Sequence, residues 1–322
     1  MRRSPWESWL ARYPALFALI FLVVALIVNL ILQPNLFEGG TLNSNMRVFL
    51  PMIILAVGQA IVILSGGIDI SVGGIVSIVN AILATQVGLQ GTPEKMWQFV
   101  FLSLMVGLGA GALNGFFISV LRLQPIITTY ASGFLFAGIA LFILPQPGGG
   151  IPADISALYR TTRPLGLPLA FYVIGILLLA WLYLRSTRYG GFIYAVGGKA
   201  DAAYETAVPV IRVQFSTYVI SGLMSALSGI ALTMLVGSGN AEIGSQMTLN
   251  SITAVVIGGN VMSGGIGGVV GPIIGAITLG LIQNIISFAN IDTWWTTFVN
   301  ASIIVAALAA PGMVNLFSRR RS

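Results

Sequence analysis

Apolar residues run in long blocks along this chain, and polar residues gather in the short stretches between them. Crossing the hydrocarbon core of a bilayer as a helix takes about 20 apolar residues. The blocks at 14–33, 47–64, 70–88, 97–121, 126–145, 168–184, 213–236, 266–289 and 294–312 each predict a transmembrane helix. A further block, 249–259, is short and bounded by glycines, and it predicts a broken eighth span that only partly crosses. The predicted fold class is an all-α integral membrane protein of about ten transmembrane helices, one domain over 1–322.

Between the second and third blocks the chain reads Ser65-Gly66-Gly67-Ile68-Asp69-Ile70-Ser71-Val72-Gly73-Gly74. Asp69 is the only charged residue between Arg47 and Glu94. A lone acid on broken backbone at membrane depth is costly unless something uses it. Two roles are open. Asp69 lies at a pathway or gate, or it holds the loop by accepting N–H bonds from Ser71 and beyond, as Asp does in turns.

Glycine also spaces two helices. Gly107, Gly111 and Gly115 lie in the fourth span, and Gly267, Gly271 and Gly275 in the ninth. Rows of this kind let helix backbones approach closely. Each row follows a glycine-interrupted segment, 65–74 in one half and 258–268 in the other. The two spans run in opposite directions, so the chain reads as two inverted halves, spans 2–5 and 7–10, an organisation typical of transporters.

Composition agrees with the blocks. Hydrophobic residues make up 57% of the 322 and charged residues 7%, against about 25% charged in soluble domains. The net charge of +6 sits at the ends of the blocks, so it reads as topology and not as a nucleic-acid surface. With ten crossings and the N-terminus inside, the inside segments carry Arg2, Arg3, Arg12, Arg122, Arg185, Arg188, Lys199, Arg212, Arg319, Arg320 and Arg321. Arg47, Lys95, Arg160 and Arg163 fall outside, a bias of eleven to four. Were 249–259 not to cross, the bias would drop to eight against seven, which favours counting it. The basic start Met1-Arg2-Arg3 precedes a block without a small-residue cleavage site, so the first span is read as retained, with both termini cytoplasmic.

Two longer polar segments remain. The segment 146–167 is outside. The segment 185–212 is a cytoplasmic loop in which Lys199–Ala207 predicts a short amphipathic helix ending before Pro209.

The chemistry available is narrow. Without cysteine or histidine there are no disulfides, thiolates, His-ligated metals or Ser-His-Asp triads. The nine carboxylates are scattered, which does not support an acid–base hydrolase. Gly197-Gly198-Lys199-Ala200 lacks the rest of a P-loop, so any ATPase is another chain and no cofactor is expected here. Candidate pathway groups are Gln59, Ser71, Asn80, Asn114, Thr128, Thr129, Asn250 and Ser251 beside Asp69, with Thr253, Asn260, Gln283 and Asn284 further along. Amides and hydroxyls suit a neutral polyhydroxyl solute. The same groups also bond helices to one another.

Ser65–Gly73 resembles the signature of the ribose/monosaccharide ABC importer permeases, which group with the branched-chain amino acid permeases. Ala254–Gly259 with Ser263–Gly267 resembles their second-half signature, and Arg188-Tyr189-Gly190 through Tyr194–Gly198 with Ala202-Ala203 resembles their cytoplasmic segment. The match runs from about residue 15 to 312. Trp294-Trp295 and Gly280–Gln283 look most like a permease subunit of the galactofuranose importers.

The resemblance implies a permease dimer in the inner membrane, ATP-binding subunits below it and a periplasmic sugar-binding protein above. It implies that Gly198–Val208 is the coupling helix, with Gly198, Lys199, Ala202, Ala203, Tyr204, Glu205 and Val208 meeting the ATPase. Sugar specificity then rests mainly with the binding protein. This chain departs from the pattern twice. Thr248-Leu249-Asn250 stands where the family carries Glu-Leu-Asp, and Ala207-Val208 where it carries Gly-Ile. Both departures point to one partner of a heterodimeric permease. The alternative class is a stand-alone channel or an ion-coupled secondary transporter for a small polar solute.

Overall fold

A computed structural model describes residues 15–290 together with 292, 294, 295, 298, 301 and 302. Among these residues the regular elements are helices, apart from one isolated bridge between Gly148 and Gly239. In chain order they are α1 (Ala15–Leu32), α2 (Gly39–Leu64), α3 (Val72–Ile82), α4 (Pro93–Gly115), α5 (Pro125–Ile143), α6 (Ala153–Thr161), α7 (Leu169–Ser186), α8 (Arg188–Gly198), α9 (Ala200–Glu205), α10 (Val210–Val236), α11 (Ser245–Ile257) and α12 (Val270–Phe288). Single π-helical turns, Leu83–Val87 and Phe116–Val120, extend α3 and α4.

Among the described residues, six stretches are long and apolar enough to cross a membrane: α2, α4 with its π turn, α5, α7, α10 and α12. The apolar part of α1 and the run Val72–Val87 are shorter. The chain is thus a multi-pass, all-helical membrane protein. The predicted tenth span, 294–312, falls outside the described residues except at 294, 295, 298, 301 and 302.

Several boundaries differ from the sequence reading. The helix expected at 47–64 starts at Gly39, because its polar first turns are covered by α6. Asn43 Nδ2 and Arg47 Nη1 both donate to the Arg160 carbonyl, at 2.9 and 3.1 Å. Helix α6 itself lies inside the polar segment 146–167. It is amphipathic, burying Ile155 and Tyr159 four residues apart, which is one helical face. The polar segment 185–212 contains two helices, not one. Helix α8 escaped notice because four of its eleven residues are glycine, poor helix formers.

Helix α2 is the centre of the molecule. Every residue from Phe49 to Leu64 except Met52 is buried. Pro51 lies inside this helix, and a proline there leaves the carbonyl four residues earlier without its donor. The Tyr159 hydroxyl supplies the missing bond, donating to Arg47 O at 2.9 Å. Burial pushes the Tyr159 phenol up, so it stays a donor.

Both glycine rows work as close-approach surfaces, but against different kinds of partner. Gly107 and Gly111 press on the backbone of α10. A Cβ on either would lie 2.5 Å from Gly222 O or 2.4 Å from Tyr218 O. In the second row Gly271 and Gly275 press on α11, where a Cβ would lie 1.9 Å from Gly258 O and 2.1 Å from Ala254 O. Gly267 belongs to the preceding loop and not to the helix.

The loops sort onto two ends. At one end Gly265 N donates to Leu64 O (3.1 Å), and Thr129 lies against the 65–71 loop, donating or accepting at Ile68 O and Ile70 N. At the other, Gly150 N donates to Ala84 O (2.9 Å), Gly148 pairs with Gly239, and Arg160 caps the end of α10 at Leu235 O and Val236 O.

Candidate functional site

The 65–71 loop leaves α2, turns at Gly66 with φ +85°, and re-enters as α3. Asp69 sits in it, fully buried. Its Oδ1 accepts from Ser71 N (2.9 Å) and Ser71 Oγ (2.6 Å), and its Oδ2 accepts from Ser221 Oγ on α10 (2.8 Å). Asn114 Nδ2 on α4 donates to Ser71 Oγ at 2.7 Å, which commits that hydroxyl's hydrogen to the carboxylate. Gln59, its amide oriented to suit its neighbours, donates to Asp69 O (3.0 Å) and accepts from Asp69 N (3.3 Å). Thr129 Oγ1 accepts from Ile70 N (3.0 Å), and Thr248 Oγ1 accepts from Gly73 N (3.1 Å). Side chains from five helices, α2, α4, α5, α10 and α11, thereby hold the loop and the first turn of α3.

Every donor to the Asp69 carboxylate is neutral and belongs to the protein. A carboxylate saturated this way has little capacity left for a solute. The Ser71 N–H bond expected of the loop-fixing role is present, and Ser221 adds a tie from the loop to α10.

The remaining candidates separate. Gln59, Ser71, Asn114 and Thr129 converge on Asp69. Asn80 lies at the other end, donating to Thr233 Oγ1 (3.0 Å) and Ser238 O (3.1 Å) and accepting from Asn240 N (2.7 Å). Thr128 and Ser251 bond within their own helices, to Gln124 O (2.9 Å) and Thr248 O (2.7 Å). Asn250 and Gln283 line a cleft of about 40 Å³ between α2, α11 and α12, room for a few waters. Asn260 closes the 258–268 loop, its amide donating to Gly268 O and accepting from Gly268 N, both at 3.0 Å.

Sequence reasoning missed Ser221, Thr217 and Thr248. A signal was there: Thr217, Ser221, Ser225 and Ser228 recur at helical spacing along α10, and all four are fully buried. They form a polar stripe toward α2, with Thr217 at Ser65 (3.1 Å) and Ser228 donating to Pro51 O (2.7 Å).

At the same end lies α9. Lys199 is extended (φ −163°) and separates it from α8. Ala203 and Val208 are buried and anchor it, whereas Gly198, Lys199, Ala202 and Glu205 are exposed, and Tyr204 is 74% exposed. The turn that ends α9 puts Ala207 at φ +62°.

The family described as "Branched-chain amino acid transport system / permease component" matches residues 41–308, which hold every residue of the Asp69 cluster and of α9. The chain belongs to that family. Curated members resemble it over nearly their whole length. The ribose import permease RbsC of Escherichia coli K12 is 31% identical over 312 residues, 95% of each chain. The fructose import permease FrcC of Rhizobium meliloti is 32% identical over 321 residues, covering 94% of this chain and 86% of FrcC. A probable ABC transporter permease, y4mJ of Sinorhizobium fredii, is 31% identical over 308 residues, covering 94% and 89%. No solved structure matches the chain.

Proposed function

We propose that the chain is the membrane permease subunit of an ATP-binding-cassette importer for a monosaccharide. One observation carries this reading beyond family membership: α9 is anchored by Ala203 and Val208 and presents Tyr204 and Glu205 outward. Such a helix has no use inside the permease and suits a groove on another subunit. That subunit is an ATPase, since this chain has no nucleotide-binding loop. The relatives named for ribose and fructose import support a sugar as cargo. The resemblance of Gly280–Gln283 to galactofuranose importers adds a furanose to the panel of cargoes.

In this reading the basic end, with α9 and both termini, faces the cytoplasm. A periplasmic binding protein delivers sugar to the other end. A second permease subunit, different from this one, completes the pathway, and the two inverted halves carry 65–74 and 258–268 as counterparts. ATP binding moves the ATPases, α9 follows them, and access alternates. Amides and hydroxyls without a free charge hold sugar weakly, so cargo leaves inward.

The test is co-purification of the chain with candidate ATPases, followed by reconstitution in vesicles with the binding protein. ATP-dependent uptake of labelled ribose, fructose or galactofuranose supports the proposal. Uptake of these sugars by the chain alone, without ATP, would overturn it in favour of a self-sufficient channel or carrier.

A further inference from the structure

Helix α8 ends against two loops that belong to opposite halves of the chain. Gly197, in its last turn, is buried. A Cβ there would lie 1.8 Å from Leu64 O, at the end of α2, and 2.7 Å from Gly265 N, in the 258–268 loop. These two atoms are bonded to each other, Gly265 N donating to Leu64 O at 3.1 Å. Gly66 and Gly264 complete the contact, both with positive φ (+85° and +88°); a Cβ on Gly264 would lie 2.7 Å from Gly197 O and 2.8 Å from Gly66 Cα. One turn back along α8, the Tyr194 hydroxyl donates to Gly267 O at 2.9 Å. Helix α8 therefore touches both helix-breaking loops through main-chain atoms. Only Lys199 separates it from α9.

Main chain against main chain at van der Waals distance is a stiff contact. No flexible side chain lies between the three segments to absorb a displacement, and packed interiors transmit strain. Buried Ile193 and Val196 seat the same helix in the core beside Leu64, so α8 moves with that core or not at all.

We infer that Gly197 is a positioning residue: the junction at Gly197, Gly66 and Gly264-Gly265 carries movement of α9 to both broken spans at once. The inference rests on the proposed function and adds to it a single route by which one ATPase contact reaches both halves. It accounts for the glycine at position 197. Any side chain at position 197 has to push the loops apart by more than an ångström, because real Cβ contacts stay above 3.0 Å.

The experiment is amide hydrogen exchange on the reconstituted complex, with and without trapped ATP-vanadate. Exchange is read separately in α9, in 64–70 and in 258–268. In the unaltered complex nucleotide changes exchange in all three segments. In Gly197→Ala the response of α9 persists, while the response of both loops falls at least about fivefold, within the range seen for mutations along a coupling route. Tyr194→Phe removes one bond without filling the junction; it assembles normally and weakens the 258–268 response about twofold. Gly191→Ala, on the same helix with nothing within 4 Å, behaves as the unaltered chain.

Should Gly197→Ala fail to assemble, Tyr194→Phe decides, and an unweakened loop response there overturns the inference. Loops that respond normally in both variants overturn it as well, as do loops that stay silent in the unaltered complex while α9 responds. If α9 of the unaltered chain is never protected by an ATPase, the proposed function falls and this inference falls with it.

Discussion

Ser221 Oγ donates to Asp69 Oδ2 at 2.8 Å, across 152 residues of sequence. The acid stands on the loop between α2 and α3, in the first half of the chain, and the serine on α10, which opens the second. This one bond ties the halves together at the depth where the second and third spans are broken. With Ser71 N and Oγ on the other carboxylate oxygen, it fastens the loop to α10.

Replacing Asp69 with Asn places an amide NH2 against a hydroxyl or N–H that already donates. One bond is lost and one donor opposes another, a cost of about 1–3 kcal/mol. The midpoint of thermal unfolding in detergent should fall, and ATP-driven uptake with it. Asp292→Asn, at an exposed residue, should leave both unchanged. Ser221→Ala should fall between the two, at about 1 kcal/mol, the size of a buried interhelical bond in a membrane protein.

Ala207 holds φ +62°, a left-handed conformation that costs a residue with a Cβ about 1–2 kcal/mol. Ala207→Gly should remove that strain. The expected outcome is a stabilised turn after α9, seen as slower amide exchange at 204–208 and no loss of assembly.

Tyr204→Ala combined with Glu205→Lys alters only the exposed face of α9, leaving Ala203 and Val208 in place. The chain should fold and insert as before, with an unchanged unfolding midpoint. Capture of the ATPase should drop by about a hundredfold, since tyrosine is a typical interface anchor and a reversed charge sets like against like. Normal capture would show that the ATPase docks elsewhere.

Gly271→Ala puts a methyl 1.9 Å from Gly258 O, a backbone atom that cannot swing aside. Helices α11 and α12 must separate, at a cost of about 1–3 kcal/mol for overpacking. Gly109→Ala is the control. It is in a helix interior with open space around it, and should be neutral or stabilising by up to about 1 kcal/mol. Circular dichroism melts of the two variants should move in opposite directions.

Much of the architecture is legible in the chain because each span must satisfy its own backbone bonds in a bilayer. Apolar length alone therefore marks α2, α4, α5, α7, α10 and α12. The glycine rows at 107–115 and 271–275 announce close contacts, and the short helix before Pro209 is readable from its stop signal. Helix α6 is less visible, since a helix outside the membrane is held by packing on one face, here Ile155 and Tyr159. The eight residues added to the start of α2 are invisible for the same reason: Asn43 among them, like Arg47 just beyond, bonds to Arg160 more than a hundred residues away.

The candidate site divides along that line. Asp69 stands out in the sequence as a lone acid, because a charge at membrane depth has few benign explanations. Local spacing also yields its bond to Ser71, two residues away. The roles of Ser221, Gln59 and Thr248 depend on which helix faces the loop, and apolar length says nothing about facing. The meeting of Gly66, Gly197 and Gly264 is likewise a tertiary fact. Sequence determined that these glycines break or end helices. Only the packing of α8 between α2 and the 258–268 loop decided that the three touch, because main-chain contact between distant segments depends on helix tilt and register and not on any local pattern.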